Sequence, residues 1–174
     1  MALKTATPGV GHKSDVGGVR LGLGDPVDLR RAYLDLCERL GPSVTVAAMA
    51  PPGVELALGI VRDEQFGPLV MVAAGGVLVE VLRDRRFALP PLDEQRARAL
   101  LDDLAVRPLL DGVRGGAPVD VGAVARAVMG LSALARDLGE HVDALDVNPL
   151  IAGPGGCVVA DVLIVPHGSA RKAG

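Results

Sequence analysis

Aromatic residues are almost missing from this chain: of 174 residues none is Trp, one is Tyr and two are Phe. Base stacking needs aromatic rings, and tracking a phosphate backbone needs a basic surplus, whereas the formal net charge is −3. No nucleic-acid partner is expected. Cysteine is scarce too: Cys37 and Cys157 lie far apart and make no metal-ligand spacing, so both read as buried, reduced thiols of a cytoplasmic protein. No apolar run approaches the ~20 residues of a membrane span. The start, Met1-Ala2-Leu3-Lys4-Thr5, lacks the apolar centre of a signal peptide. A soluble chain with no membrane attachment follows as the expectation.

What is abundant is aliphatic. The apolar share is 49%, carried by Val, Leu and Ala, enough for a true core in one domain or two small lobes. Ala2-Leu3-Lys4 reads as the tail of a strand, and a Gly-rich loop, Pro8 to Gly18, follows at once. Val19 to Leu23 reads as a short strand. Asp25-Pro26 supplies an N-cap and a first-turn proline, and Leu29, Ala32, Tyr33, Leu36, Cys37 and Leu40 form a helical stripe that Gly41-Pro42 stops. Strand signals occupy Ser43 to Ala48, Val54 to Val61, Leu69 to Ala74 and Val77 to Leu82. Helical patterns start near Asp93 and run from about Val119 to Leu138, a hairpin closes the chain, and Ser169 to Gly174 reads as a frayed tail. Strands, then helices, then strands is an α+β order, with antiparallel or mixed sheets and flanking helices.

Several residues are candidates for chemistry. Asp146 and Asn148 stand two apart in an apolar, β-prone run and so share one side of a strand. Pro149 predicts an edge or a strand end. The return run Cys157 to Val162, after the Gly153-Pro154-Gly155-Gly156 turn, can bring Asp161 alongside Asn148. Carboxylate and amide oxygens in one patch are the hard ligands of a magnesium–nucleotide complex, while a solvated polar hairpin is the plain alternative. The loop before Gly18 offers backbone N–H groups with His12 and Lys13, but its glycine spacing fails the P-loop pattern. Lys4 reads either as an anion contact or as a solvated strand-end lysine. Glu55 is either the outward residue of a half-buried strand or a cleft carboxylate for a ribose or metal. Gly75-Gly76 allows a close backbone approach or a tight hairpin. Arg114 is a weak phosphate candidate, and Glu80, Arg83, Asp84, Arg85 and Arg86 read as a solvated charge cluster.

Taken in order, several motifs carry a resemblance. They are Leu3-Lys4; His12-Lys13-Ser14-Asp15-Val16-Gly17-Gly18; Gly53-Val54-Glu55-Leu56 with Gly59; Phe66-Gly67-Pro68; Gly75-Gly76; Gly112-Val113-Arg114-Gly115; and Leu145-Asp146-Val147-Asn148-Pro149-Leu150. From about Ala2 to Val165 the chain resembles the ATP-grasp domain of NDP-forming acyl-CoA synthetases, including the β subunit of succinyl-CoA synthetase. The resemblance implies an ATP-grasp fold that begins late, with residues 1–46 as part of an ATP-binding lobe, 47–165 as the C-terminal lobe and 166–174 as a tail. It implies reversible phosphoryl transfer between Mg-ATP or Mg-ADP and a phosphohistidine, coupled to acyl-CoA formation. By position it makes His12 and Asp146 catalytic, the first as a second phosphoryl carrier and the second as the contact for the incoming phosphohistidine. It places Lys4, Glu55, Gly75 and Gly76 on the nucleotide, and Asn148 and Asp161 on magnesium. The implied partners are CoA-binding and phosphohistidine-bearing domains or a subunit, in a hetero-oligomer or as a fragment of a larger chain. Ala47-Ala48 stand where the family usually has a Gln-Glu pair before its methionine, here Met49. That departure motivates an alternative, a noncatalytic regulatory or assembly domain derived from such a synthetase.

Overall fold

The computed structural model describes residues 1–11, 13–76, 84–113 and 115–168. They form two compact units, Met1–Ala50 and Pro51–Gly174. In the first, β1 (Ala2–Thr5) lies between β2 (Val19–Arg20) and β3 (Val44–Ala47), antiparallel to both. The helix α1 (Pro26–Leu40) forms where the stripe predicts it. Asp25 caps it by accepting the Asp28 N–H at 2.8 Å, and Gly41, at φ 97°, ends it with an N–H donated to the Cys37 carbonyl. Leu3, Ala32 and Leu36 are its buried core, with Leu29, Tyr33 and Leu40 packed around them.

The second half of the Gly-rich loop is tied to this small unit. Gly18 donates its N–H to the Lys13 carbonyl at 2.7 Å, and Thr5 donates to the Gly18 carbonyl at 2.8 Å. Arg39 and Arg20 donate to the carbonyls of Val16 and Gly17, each at 2.7 Å. Both arginines also pair with Asp35 on α1.

The second unit is a six-stranded sheet of β4 (Val54–Asp63), β5 (Gly67–Ala74), β6 (Arg85–Ala88), β7 (Val142–Gly153), β8 (Gly156–Val159) and β9 (Val162–Pro166). Its order is β6-β5-β4-β7-β8, with β9 also on β7. Every pairing among the described residues is antiparallel. The helices are α2 (Glu94–Asp102), the short α3 (Arg107–Leu110) and α4 (Val121–Leu138), with Asp93 and Asp120 capping the two long ones. Alternation decides which face is buried. Leu56, Leu58 and Ile60 of β4, Val70 and Val72 of β5, and Leu145 and Val147 of β7 join Leu101 of α2 and Val124 and Val128 of α4 in one aliphatic core. Each fully buried leucine there contributes about 1.5–3 kcal/mol.

Three expectations are corrected. Pro149 is neither at an edge nor at a strand end, because β7 is paired on both sides. It sits in a β-bulge: Leu56 pairs Leu150 but Leu58 pairs Val147, so Asn148-Pro149 together oppose Ala57. The return run is two strands, interrupted at Ala160-Asp161 opposite that bulge. The charge cluster is not all solvated surface, since Asp84 is only 8% exposed. Its carboxylate accepts from Arg86 at 3.1 Å and from the Val106 N–H at 3.2 Å. The run Val77 to Leu82, Glu80, Arg83, Arg114 and the tail from Ser169 lie outside the described residues.

Candidate functional site

The bulge organises the end of the sheet where the polar residues gather. Along β7, Leu145 and Val147 turn into the core, so Asp146 and Asn148 turn to the opposite face, which is helix-free among the described residues of this unit. The extra residue leaves the Asn148 N–H unpaired with β4, and it donates instead to the Asp161 carbonyl at 3.2 Å. On the other side of the break, the Ala160 N–H donates to the Pro149 carbonyl at 2.9 Å. Asp161 is thereby locked beside Asn148, as the hairpin reading anticipates. The peptide bond between Asn148 and Pro149 is cis.

Glu55 and the glycine pair also come together. Glu55 is exposed at the start of β4, and the Gly75 N–H donates to its carbonyl at 2.9 Å. A Cβ on Gly75 would lie 2.6 Å from the carbonyl carbon of Glu55 and the nitrogen of Leu56, so only glycine lets the two chains pass this closely. Gly76, at φ 58°, lies directly against the Glu55 carboxylate. Lys4 belongs to the first unit, half-buried on the face of β1 opposite Leu3. His12 lies outside the described residues.

Within the second unit, this face of β4 and β5 is floored by small side chains. Gly59 pairs Asp146, Ala73 pairs Ala57, and Met71 and Arg85 flank them. The result is a cleft of about 560 Å3 lined by Gly59, Met71, Ala73, Asp84, Arg85 and Asp146 among others. Sequence reasoning missed Arg85 and the small-residue floor, although Ala57 and Gly59 at alternate positions of a leucine-rich strand are a readable sign of a face left open.

The donor set suits a hard cation. Asn148 offers an amide oxygen and Asp161 a carboxylate, with Asp146 on the same face as Asn148. No trio of His, Cys, Asp or Glu able to hold a metal occurs among the described residues. Two protein oxygens without imidazole or thiolate fit magnesium, which keeps waters and takes further ligands from substrate phosphates. The thiols are not part of this: burial and the nearby Asp120 push the Cys157 thiol up, and its Sγ lies 3.7 Å from the Ala123 carbonyl. No helix among the described residues is long and apolar enough to cross a membrane.

A family model for the ATP-grasp domain matches residues 1–165. The β subunit of an ADP-forming acetate–CoA ligase II from Pyrococcus furiosus is 32% identical over 178 residues, covering 97% of this chain and 75% of the subunit. An ADP-forming acetate–CoA ligase I from Archaeoglobus fulgidus is 35% identical over 173 residues, covering 95% of this chain but only 25% of that protein. This chain therefore spans a quarter of the latter and three quarters of the former. Among solved structures, a Ca. Korarchaeum cryptofilum acetyl-coenzyme A synthetase superposes with a TM-score of 0.85 at 40% identity, over 96% of this chain and 76% of that one. That protein is in complex with coenzyme A and Mg-AMPPCP, with its phosphohistidine segment pointing towards the nucleotide-binding site. The chain belongs to the ATP-grasp family and is homologous to the ATP-grasp module of ADP-forming acyl-CoA synthetases.

Proposed function

We propose that this chain binds Mg-ATP or Mg-ADP and supports reversible phosphoryl transfer to a histidine of a CoA-binding partner domain or subunit, the step that couples nucleotide turnover to acyl-CoA formation. The observation that carries the reading is the bulge in β7. It sets Asp161 against Asn148 and leaves Asp146 on the same open face of the sheet. In this reading Asn148 and Asp161 hold magnesium, which when bound supplies positive charge to the phosphate oxygens. Asp146 receives the partner's histidine segment, accepting a hydrogen bond from the imidazole and so fixing its orientation. Glu55 and the Gly75-Gly76 turn contact the nucleoside end, Lys4 contributes a phosphate contact, and His12 serves as a second phosphoryl carrier. In the forward step the bond from the γ-phosphorus to the bridging oxygen of ADP breaks as a bond to the histidine nitrogen forms.

The two cysteines are free, which supports a cytoplasmic location. Incubating the chain with a CoA-binding partner subunit and γ-labelled radioactive ATP tests the proposal. Acid-labile label on a histidine of the partner is expected, reduced more than about tenfold by Asp146→Asn. Absence of label with the unaltered chain would contradict it.

A further inference from the structure

We propose that Arg85, in the cleft, binds a phosphate of the nucleotide's polyphosphate chain, from the opposite end of a cross-strand row to the Asn148–Asp161 pair; this rests on the nucleotide reading above and adds a contact to it. Register places the residues. Arg85 pairs Ala73, Ala73 pairs Ala57, and Ala57 faces the Asn148-Pro149 bulge. Arg85 and Asn148 are thus the two ends of one row across the helix-free face, with only two methyl groups between them. Three strand spacings make that row about 14 Å long. Its floor is of small side chains, Ala57 and Ala73, which are 1% and 4% exposed.

The two neighbouring arginines have different work. Arg86 turns to the helix side, where Asp84 and the Asp103 carbonyl hold its guanidinium. Arg85 turns to the cleft and is exposed, its guanidinium 6.0 Å from the centre of the Phe87 ring. No carboxylate pairs with Arg85 among the described residues. A ring below a guanidinium fixes its plane while its N–H edge stays available. A planar, permanently charged fork at one end of a narrow methyl-floored trough, with hard oxygen donors at the other, matches a linear polyphosphate. The phosphate oxygens nearest the metal ligands are met at β7, and those farther along are met by paired N–H donors.

Displacement of a fluorescent ADP analogue, read at equilibrium, tests this. Arg85→Gln is expected to weaken Mg-ATP or Mg-ADP by about tenfold or more, with adenosine unaffected. Arg85→Lys, which keeps the charge but not the fork, recovers part of the loss. Arg96→Gln, which removes an equal charge from α2, leaves affinity unchanged, and the unfolding midpoint of Arg85→Gln stays at that of the parent. Nucleotide affinity that falls on Asn148→Ala but is untouched by Arg85→Gln would overturn the Arg85 contact alone. A parent chain that binds no Mg-nucleotide would overturn both readings.

Discussion

The two faces of the six-stranded sheet are built by the same strands and are chemically opposite. On β4 the residues turned to the helices are Leu56, Leu58 and Ile60, each at most 2% exposed. Those turned away are Glu55, Ala57 and Gly59. On β7 the same alternation sets Leu145 and Val147 against Asp146 and Asn148. The helix side carries volume, which close packing rewards. The open side removes volume, down to a bare glycine opposite Asp146, which makes room for a ligand and contributes little to stability. The largest effects on folding are therefore expected on the first face, and the largest effects on binding on the second.

Leu56→Ala breaks the packed face most directly. Leu56 is fully buried in the central strand, so the loss of unfolding free energy in urea is expected to be about 2–5 kcal/mol. Gly75→Ala strikes where the faces meet. Its new methyl would press on the backbone of Glu55 and Leu56, which cannot rotate away, and a loss of about 1–3 kcal/mol is expected by the same titration. Asp143→Asn gives the smallest effect and adds a pH signature at the far end of β7. A hydrogen bond from His167, reinforced by the Gly168 N–H and Arg62, holds the Asp143 carboxyl below the usual carboxylate range. A carboxyl lowered in the folded state contributes stability above its unfolded pKa of about 3.9 and loses it as pH falls through the folded value. The parent should thus exceed the variant in urea midpoint near neutrality and converge with it only as pH falls through the lowered folded value.

The long alternating and helical segments were legible in the sequence because periodicity reports burial. Asp25 and Asp93, read as helix starts, cap α1 and α2, and the stripe of α1 is the stripe that packs. The element β6 was not legible. Arg85-Arg86-Phe87-Ala88 has no apolar alternation, and it is a strand because β5 offers it an edge. The buried role of Asp84 was hidden for the same reason, since its partners, Arg86 and the Val106 N–H, are brought to it by the fold. At the candidate site, the grouping of Asn148 with Asp161 could be anticipated from the turn and spacing, whereas that of Glu55 with Gly75-Gly76 followed only from the family resemblance. The bulge could not be anticipated, because a proline in a central strand is normally evidence against the strand. Arg85 read only as part of a solvated charge cluster because a cross-strand row exists only once the register is known.

The central claim is that the open face carries a magnesium–nucleotide site at Asn148 and Asp161 and that this face is nearly irrelevant to stability. Calorimetric titration of Mg-ADP onto the parent chain and onto the double variant Asn148→Ala, Asp161→Ala tests it most directly, with urea unfolding of both as the companion. The expected result is saturable binding by the parent, binding lost in the variant, and unfolding midpoints that agree closely. Equal binding of Mg-ADP by the two proteins would contradict the account.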